Sequence, residues 1–300
     1  MSGPRHACFD PAVAARLGRL NLLARRAVDG MVTGLHRSGR RGFSVEFSEH
    51  RQYTPGDDLR HLDWIAYARS DRHYIKQYEQ ETNLHAHLLL DLLASMDYGY
   101  GGHPTKLRYA ACLAAQLAYL MVRQADQVGL IGFDRDVRFH LPPASTAAHL
   151  DRLFTHLDAL SPGADTALAD VLDDAAARIA GRGLIVILSD LYDDPDRVLR
   201  AMERLRRRRH QVILIHVLDR AELDLPHTRD TTFVDRETGR ALQVDPEALR
   251  ETYVRQVEAF IGRYRRECGS RRMDYVLAPT DTPYDRMLMD YLARRRHAKR

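Results

Sequence analysis

A chain of 300 residues with 45% apolar content is long enough to bury a substantial core, as one large domain or two smaller ones. No run approaches the roughly 18 uninterrupted apolar residues of a membrane helix, and the start, Met1 to Pro11, lacks the apolar core of a signal peptide, so a cytoplasmic protein is expected. Forty-five basic against 41 acidic residues leave a net charge of +4, too small an excess to indicate nucleic acid.

Cys8, Cys112 and Cys268 have no short spacing, so they suggest neither a zinc site nor a disulfide framework and read as reduced thiols. Only Lys76, Lys106 and Lys299 are lysines. A basic complement made almost wholly of arginine reflects genome composition more than selection for phosphate, although arginine also suits carboxylate partners.

Asp10-Pro11 reads as an N-cap with proline at the first helical position, and Val13, Leu17, Leu20, Ala24 and Val28 follow at helical spacing. A first helix ending near Gly30 is expected. From Gly34 to Thr82 glycines, aromatics and charges take over, with extended candidates at Phe43 to Phe47 and His73 to Glu79. We therefore expect residues 1–83 to form an N-terminal helix and an irregular β-containing subdomain, and residues 84–300 to form a separate domain.

From Leu84 onward short apolar runs alternate with helical stretches, the pattern of an α/β sheet. Strands are expected at Leu84 to Leu90, Val128 to Phe133, Val137 to Leu141, Leu184 to Leu188, Val212 to Val217 and Met273 to Leu277. Helices are expected around 106–124, 147–160, 167–179, 198–207, 246–268 and from Pro283, with a small excursion at Thr232 to Val234 and Ala241 to Val244. The turn Asp134-Arg135-Asp136 makes the second and third strands an antiparallel hairpin. Six strands of this kind fit a doubly wound sheet in the order 3-2-1-4-5-6. Such a sheet opens a crevice at the carboxyl ends of strands 1 and 4, where the loops from Asp91 to Asp97 and from Ser189 to Asp194 would meet.

Asp91-Leu92-Leu93-Ala94-Ser95 resembles the Asp-x-Ser-x-Ser element of the metal-ion-dependent adhesion site in von Willebrand factor A domains, with Leu93 in place of the first serine. Thr166 resembles that family's second-loop threonine and Asp190 its third-loop aspartate. The resemblance implies that Ser95 and Thr166 touch a magnesium ion directly, while Asp91 and Asp190 hold it mainly through waters. Asp97 and Asp165 are candidates to compensate for the missing serine, and Asp193 and Asp194 flank the same crevice. Leucine offers no oxygen, so the site is degenerate and is expected to hold magnesium weakly or not at all. A purely structural reading competes: Asp91 and Asp190 accept loop amides at strand ends, and Ser95 caps the turn.

A longer signature lies upstream. It runs His36-Arg37-Ser38-Gly39-Arg40-Arg41-Gly42-Phe43-Ser44-Val45-Glu46-Phe47, then Arg51-Gln52-Tyr53-Thr54-Pro55-Gly56-Asp57-Asp58-Leu59-Arg60-His61-Leu62-Asp63-Trp64, then Tyr67-Ala68-Arg69, and continues through Tyr74-Ile75-Lys76-Gln77-Tyr78-Glu79-Gln80-Glu81-Thr82. These residues closely resemble the bacterial domain-of-unknown-function-58 family. The resemblance implies a partner of MoxR-type AAA ATPases, acting as an adaptor or assembly factor. Physically, Arg51, Arg60 and Arg69 can satisfy Glu46, Asp57, Asp58, Asp63 and Glu79, so the signature also reads as a structural charge network with Trp64 and Phe47 as apolar anchors.

The leading functional expectation is a non-enzymatic protein-binding module whose crevice receives a carboxylate or a loop from a partner. The alternative is a magnesium-dependent phosphoester hydrolase built on Asp91, Asp190, Asp193 and Asp194. Against it, no nucleophile or general base accompanies the carboxylates, and no Walker-type phosphate loop is present. Nucleic-acid binding is weaker still, since no aromatic stacking platform is evident.

Overall fold

The computed structural model describes residues 7–8, 45–52, 63–64, 67, 73–80, 84–163, 168–179, 181–228, 231–234 and 240–297. The chain divides into two compact units, one of residues 1–31 with 84–300 and the other of residues 32–83. Of residues 1–31 only 7 and 8 are described, and they pack on the larger unit. Cys8 illustrates this: its backbone amide donates to Asp158 Oδ1 at 2.9 Å, and its side chain is buried in the apolar cluster of the larger unit.

In the smaller unit, β1 (Val45–Gln52) and β2 (Tyr74–Gln80) pair antiparallel, with a register shift between Phe47 and Glu49. The two expected extended segments are therefore one ribbon. Asp63 is buried, and its amide donates to the Tyr74 carbonyl at 2.8 Å. Trp64, expected as a buried anchor, is 65% exposed and stands edge-on to Tyr67; Tyr67 in turn stacks on His73 at 4.5 Å. The expected first helix and most of the expected charge network lie outside the described residues.

The larger unit is built on β3 (His85–Asp91), β4 (Gln127–Phe133), β5 (Val137–Ala144), β6 (Leu184–Ser189), β7 (Gln211–Leu218) and β10 (Asp274–Pro279). They form one sheet in the order β5-β4-β3-β6-β7-β10. Numbered within the sheet this is 3-2-1-4-5-6, with β5 antiparallel and every other pairing parallel. The fold is the expected von Willebrand factor A-like α/β arrangement. A two-stranded ribbon, β8 (Thr231–Val234) with β9 (Ala241–Val244), forms the excursion after β7.

Consecutive residues of the central strand point to opposite faces, and each face is covered. Leu88 and Leu90 join the cluster built with α1 (Lys106–Arg123), α2 (Ala147–Asp158) and α7 (Tyr284–His297), through residues such as Leu113, Leu153 and Met287. Leu89 joins the opposite cluster, with α3 (Leu168–Arg178), α4 (Pro195–Arg207) and α6 (Pro246–Ser270) supplying Leu172, Met202 and Tyr264. Burial on both faces explains why these strands read as continuous apolar runs. At the β4–β5 hairpin, Asp134 holds the turn: its Oδ1 accepts the Asp136 amide at 3.2 Å, and its Oδ2 accepts Arg138 at 2.7 Å. Gly132 is required there, because a Cβ would stand 2.2 Å from the Phe139 ring. Among the described residues, no helix is long and apolar enough to cross a membrane.

Candidate functional site

The parallel neighbours β3 and β6 end together, Leu90 opposite Leu188, which brings Asp91 and Asp190 to the carboxyl end of the sheet at its switch point. Both carboxylates are fully buried. Asp91 is held from two sides: Ser189 Oγ donates to its Oδ2 at 2.6 Å, and the Leu93 amide donates to its Oδ1 at 3.1 Å. Burial and the neighbouring charge of Asp190 push the Asp91 carboxyl up to about 8, against the opposing effect of those hydrogen bonds and of Lys106.

Asp190 faces a cation supplied by the chain itself. Lys106 Nζ lies 2.8 Å from Asp190 Oδ2 and 2.5 Å from Glu222 Oε1, with the lysine side chain wholly buried. Thr105 caps α1 by accepting the Arg108 amide at 3.3 Å, which fixes Lys106 at the first position of the helix. The positive end of a helix dipole is an unfavourable place for an ammonium, and burial alone would lower its pKa. The two carboxylates overcome both effects and hold Lys106 above its ordinary value.

Glu222 reaches this position from α5 (Arg220–Asp224), the short helix after β7. A capping box locks it: Glu222 Oε2 accepts the Asp219 amide at 2.7 Å, while Asp219 Oδ1 accepts the Ala221 amide at 2.8 Å. The other oxygen of Asp219 ties in two further loops, accepting the Tyr100 amide at 3.2 Å and the Thr280 hydroxyl at 2.9 Å. Beneath the triad, His216 Nε2 lies 3.1 Å from the Asp190 carbonyl and Nδ1 lies 2.7 Å from the Tyr275 hydroxyl. Above it, the Tyr192 ring covers Lys106 at 4.9 Å, and its hydroxyl donates to Glu222 at 3.2 Å. Tyr192 is 46% exposed and Tyr100 42%, so aromatic rings meet solvent beside the triad.

The backbone is strained at this point. Leu191, between Asp190 and Tyr192, is fully buried with φ +63°, the left-handed region that a branched side chain rarely adopts. Its amide donates to Ser189 Oγ at 2.9 Å, so Ser189 supports the strained turn and Asp91 together. Such strain persists only where surrounding contacts over-determine it.

The remaining expected site residues fall as follows. Ser95 sits in the short 3-10 helix Ala94–Asp97, its hydroxyl oxygen buried without a hydrogen-bond partner among the described residues, and Asp97 ends that helix half-buried. Asp193 accepts the Ala169 and Asp194 amides at 3.1 and 2.6 Å, and Asp194 caps α4 through the Arg197 amide at 2.9 Å. These two therefore serve local backbone groups. Thr166 and Asp165 lie outside the described residues. Leu93, in the place of the missing serine, is buried in the apolar cluster.

Among the described residues, the carboxylate oxygens of the expected magnesium site are already engaged. The oxygens of Asp91 are engaged by a hydroxyl and an amide, Asp190 is bonded to an ammonium, and among the described residues no three histidine, cysteine, aspartate or glutamate side chains are grouped to hold a metal. Reading the sequence for oxygen ligands missed Lys106, Glu222, Tyr192 and Ser189. The available signal was the rarity of lysine: Lys106 is one of three in an arginine-rich chain, directly after a helix-capping threonine.

Residues 49–260 match the family model described as a protein of unknown function, DUF58. The uncharacterized proteins Rv1480 of Mycobacterium tuberculosis and Mb1516 of Mycobacterium bovis are each 30% identical over 271 residues, covering 87% of this chain and 84% of theirs. Among solved structures, BatB from Bacteroides thetaiotaomicron aligns at a TM-score of 0.47 and 18% identity, covering 71% of this chain and 99% of that one. The SpRpn10 VWA domain aligns at 0.40 and 10% identity, covering 70% and 95%. On the family match and the mycobacterial relatives together, the chain belongs to the DUF58 family.

Proposed function

We propose that this protein is a non-enzymatic adaptor that binds protein partners at the carboxyl-end crevice, working with a MoxR-type AAA ATPase, and that this binding needs no divalent cation. The observation that carries the reading is the Lys106 ammonium bonded to Asp190 and Glu222. A tethered positive charge stands among the acids that either a metal-dependent adhesion site or a magnesium hydrolase would require. It cannot exchange or act as a Lewis acid that makes hydroxide from a coordinated water, so metal-type hydrolytic chemistry through these acids is disfavoured. Binding needs none of those steps. The exposed Tyr192 and Tyr100 supply what an interface requires at its centre, rigid rings with a polar tip.

The test is capture of the cognate ATPase, prepared free of nucleotide so that chelation does not perturb it. Capture is expected to survive excess chelator and to fall at least tenfold with Tyr192→Ala, in a variant that still unfolds cooperatively and is folded at the assay temperature. Capture that needs magnesium, or that ignores Tyr192, overturns the proposal. So does phosphoester hydrolysis by the purified protein that disappears with Asp190→Ala.

A further inference from the structure

The whole-chain charge of +4 conceals a separation of sign along the strands of the larger unit. At their carboxyl ends stand Asp190, Asp193, Asp194, Asp219 and Glu222, with the buried Lys106 among them. The amino ends are different. β6, β7 and β10 are adjacent and parallel, so the connections that lead into them from α3, α4 and α6 lie side by side at one edge of the sheet. These connections carry Arg182, then Arg206-Arg207-Arg208-Arg209, then Arg271-Arg272. Arg206 and Arg271 are half-buried and the others exposed. The neighbouring acids are already engaged: Glu203 pairs with Arg207 at 2.7 Å and with Arg271 at 3.5 Å, Glu267 pairs with Arg271, and Asp274 accepts the Tyr291 hydroxyl at 2.8 Å. Among the described residues, Arg206, Arg209 and Arg272 form no ion pair.

Cations in the last turn of a helix complement its dipole, and Arg204, Arg206 and Arg207 do so for α4. The row continues past that need. Arg209 lies beyond the helix in a turn closed by two bonds, its own amide donating to the Arg206 carbonyl at 3.0 Å and the His210 amide to the Leu205 carbonyl at 3.3 Å. Arg272 repeats this turn after α6, with its amide 3.1 Å from the Gly269 carbonyl and the Met273 amide 2.8 Å from the Cys268 carbonyl. Both backbones are left-handed, at φ +68° and +55°, where glycine is the unstrained residue. Gly181 takes that conformation before β6. Arginine at the other two turns gives up conformational ease and adds charge to the same edge.

We propose that this amino-end face is a docking surface for an anionic phospholipid bilayer, its arginines set against headgroup phosphates. The crevice, at the other end of strands roughly 20 Å long, then stays open to its partner. Clusters of basic residues hold an anionic leaflet electrostatically, each charge contributing a factor of roughly five. The charges here are spread in a row over three strands, as a planar array of phosphates requires. The exposed rings Tyr100 and Tyr192, which could stack on bases, stand at the opposite end, and this favours a membrane over nucleic acid.

The test is sedimentation of the full-length protein with vesicles of phosphatidylcholine and phosphatidylglycerol, against vesicles of phosphatidylcholine alone, at low ionic strength. Binding is expected to the anionic vesicles only, and to be released by salt as screening shortens the reach of the charges. Arg209→Gly combined with Arg272→Gly is expected to weaken it at least tenfold. Those changes ease the backbone, so the unfolding temperature is expected to stay at or above the native value, and the matching pair of asparagine variants, which also accept this conformation, is expected to behave alike. Arg197→Gln combined with Arg220→Gln removes the same charge from the carboxyl end and is expected to leave binding intact. Four results overturn the proposal: no preference for the anionic vesicles, full binding by the folded glycine and asparagine variants, equal weakening by the pair at the carboxyl end, or tighter binding to a DNA duplex than to the vesicles at equal phosphate, which assigns the face to nucleic acid.

Discussion

Replacing Lys106 by methionine keeps the packed stem of the side chain and removes only its charge. Two carboxylates, Asp190 wholly buried and Glu222 nearly so, then lose the ammonium that neutralises them. Removing one partner of a buried ion pair costs about 3–5 kcal/mol, because the other charge stays behind. For a unit of this size that corresponds to a fall in unfolding temperature of roughly 6–20 °C. The same substitution frees the acids to bind a cation. Magnesium, which binds the folded state through them, is then expected to restore part of the loss, about 2.7 kcal/mol at a hundredfold excess over its dissociation constant. The assay is thermal unfolding of native and Lys106→Met proteins across a magnesium series. The native curve is expected to ignore magnesium while that of the variant climbs. A variant as stable as the native protein, or a native protein that magnesium stabilises equally, refutes the idea that Lys106 takes the place of a metal.

Three further outcomes follow from the same geometry. Leu93→Ser, which restores the serine of the adhesion-site pattern, is expected to cost about 3 kcal/mol by opening a core position, with no gain in magnesium affinity by calorimetry; tighter binding at full stability contradicts this. His87 of β3 is held at about 4 by burial and by the nearby His210, His140 and His85, so the unfolded chain takes up a proton that the folded chain refuses. The stability it contributes is present above about pH 6.5 and is lost as pH falls toward 4, about 3 kcal/mol in all. His87→Leu is expected to flatten that part of the acid-unfolding curve, and an unchanged curve removes His87 as the cause. Ser189→Ala takes one support from Asp91 and another from the Leu191 turn; a loss of about 2–3 kcal/mol in urea unfolding is expected, and a change under about 0.5 kcal/mol shows that the turn is held elsewhere.

Much of the architecture was legible before any coordinates. Leu88, Leu89 and Leu90 in succession mark a strand buried on both faces, and the Asp134-Arg135-Asp136 turn marks the one antiparallel hairpin. Right-handed crossovers then leave few possible orders, and the observed one is among them. The helix expected from Val198 begins earlier, at Pro195 behind the Asp194 cap, whereas the one expected from Pro246 begins there, behind Asp245. Trp64 shows the limit of this reasoning, since bulk and apolarity argue for burial while its exposure is decided by what packs on it.

From sequence alone came the strand order, and with it the convergence of Asp91 and Asp190 at the ends of the first and fourth strands, because that order is set by local periodicity and connection handedness. Which charges meet there was decided only in three dimensions. Lys106 is separated from Asp190 by 84 residues and from Glu222 by 116, and no pattern over neighbouring residues encodes that encounter. It depends on α1 delivering its first residue beneath the loop that follows β6, while a capping box turns Glu222 inward from α5. Local rules place elements, whereas the sign and partner of a buried charge are fixed by which elements the folded core presses together.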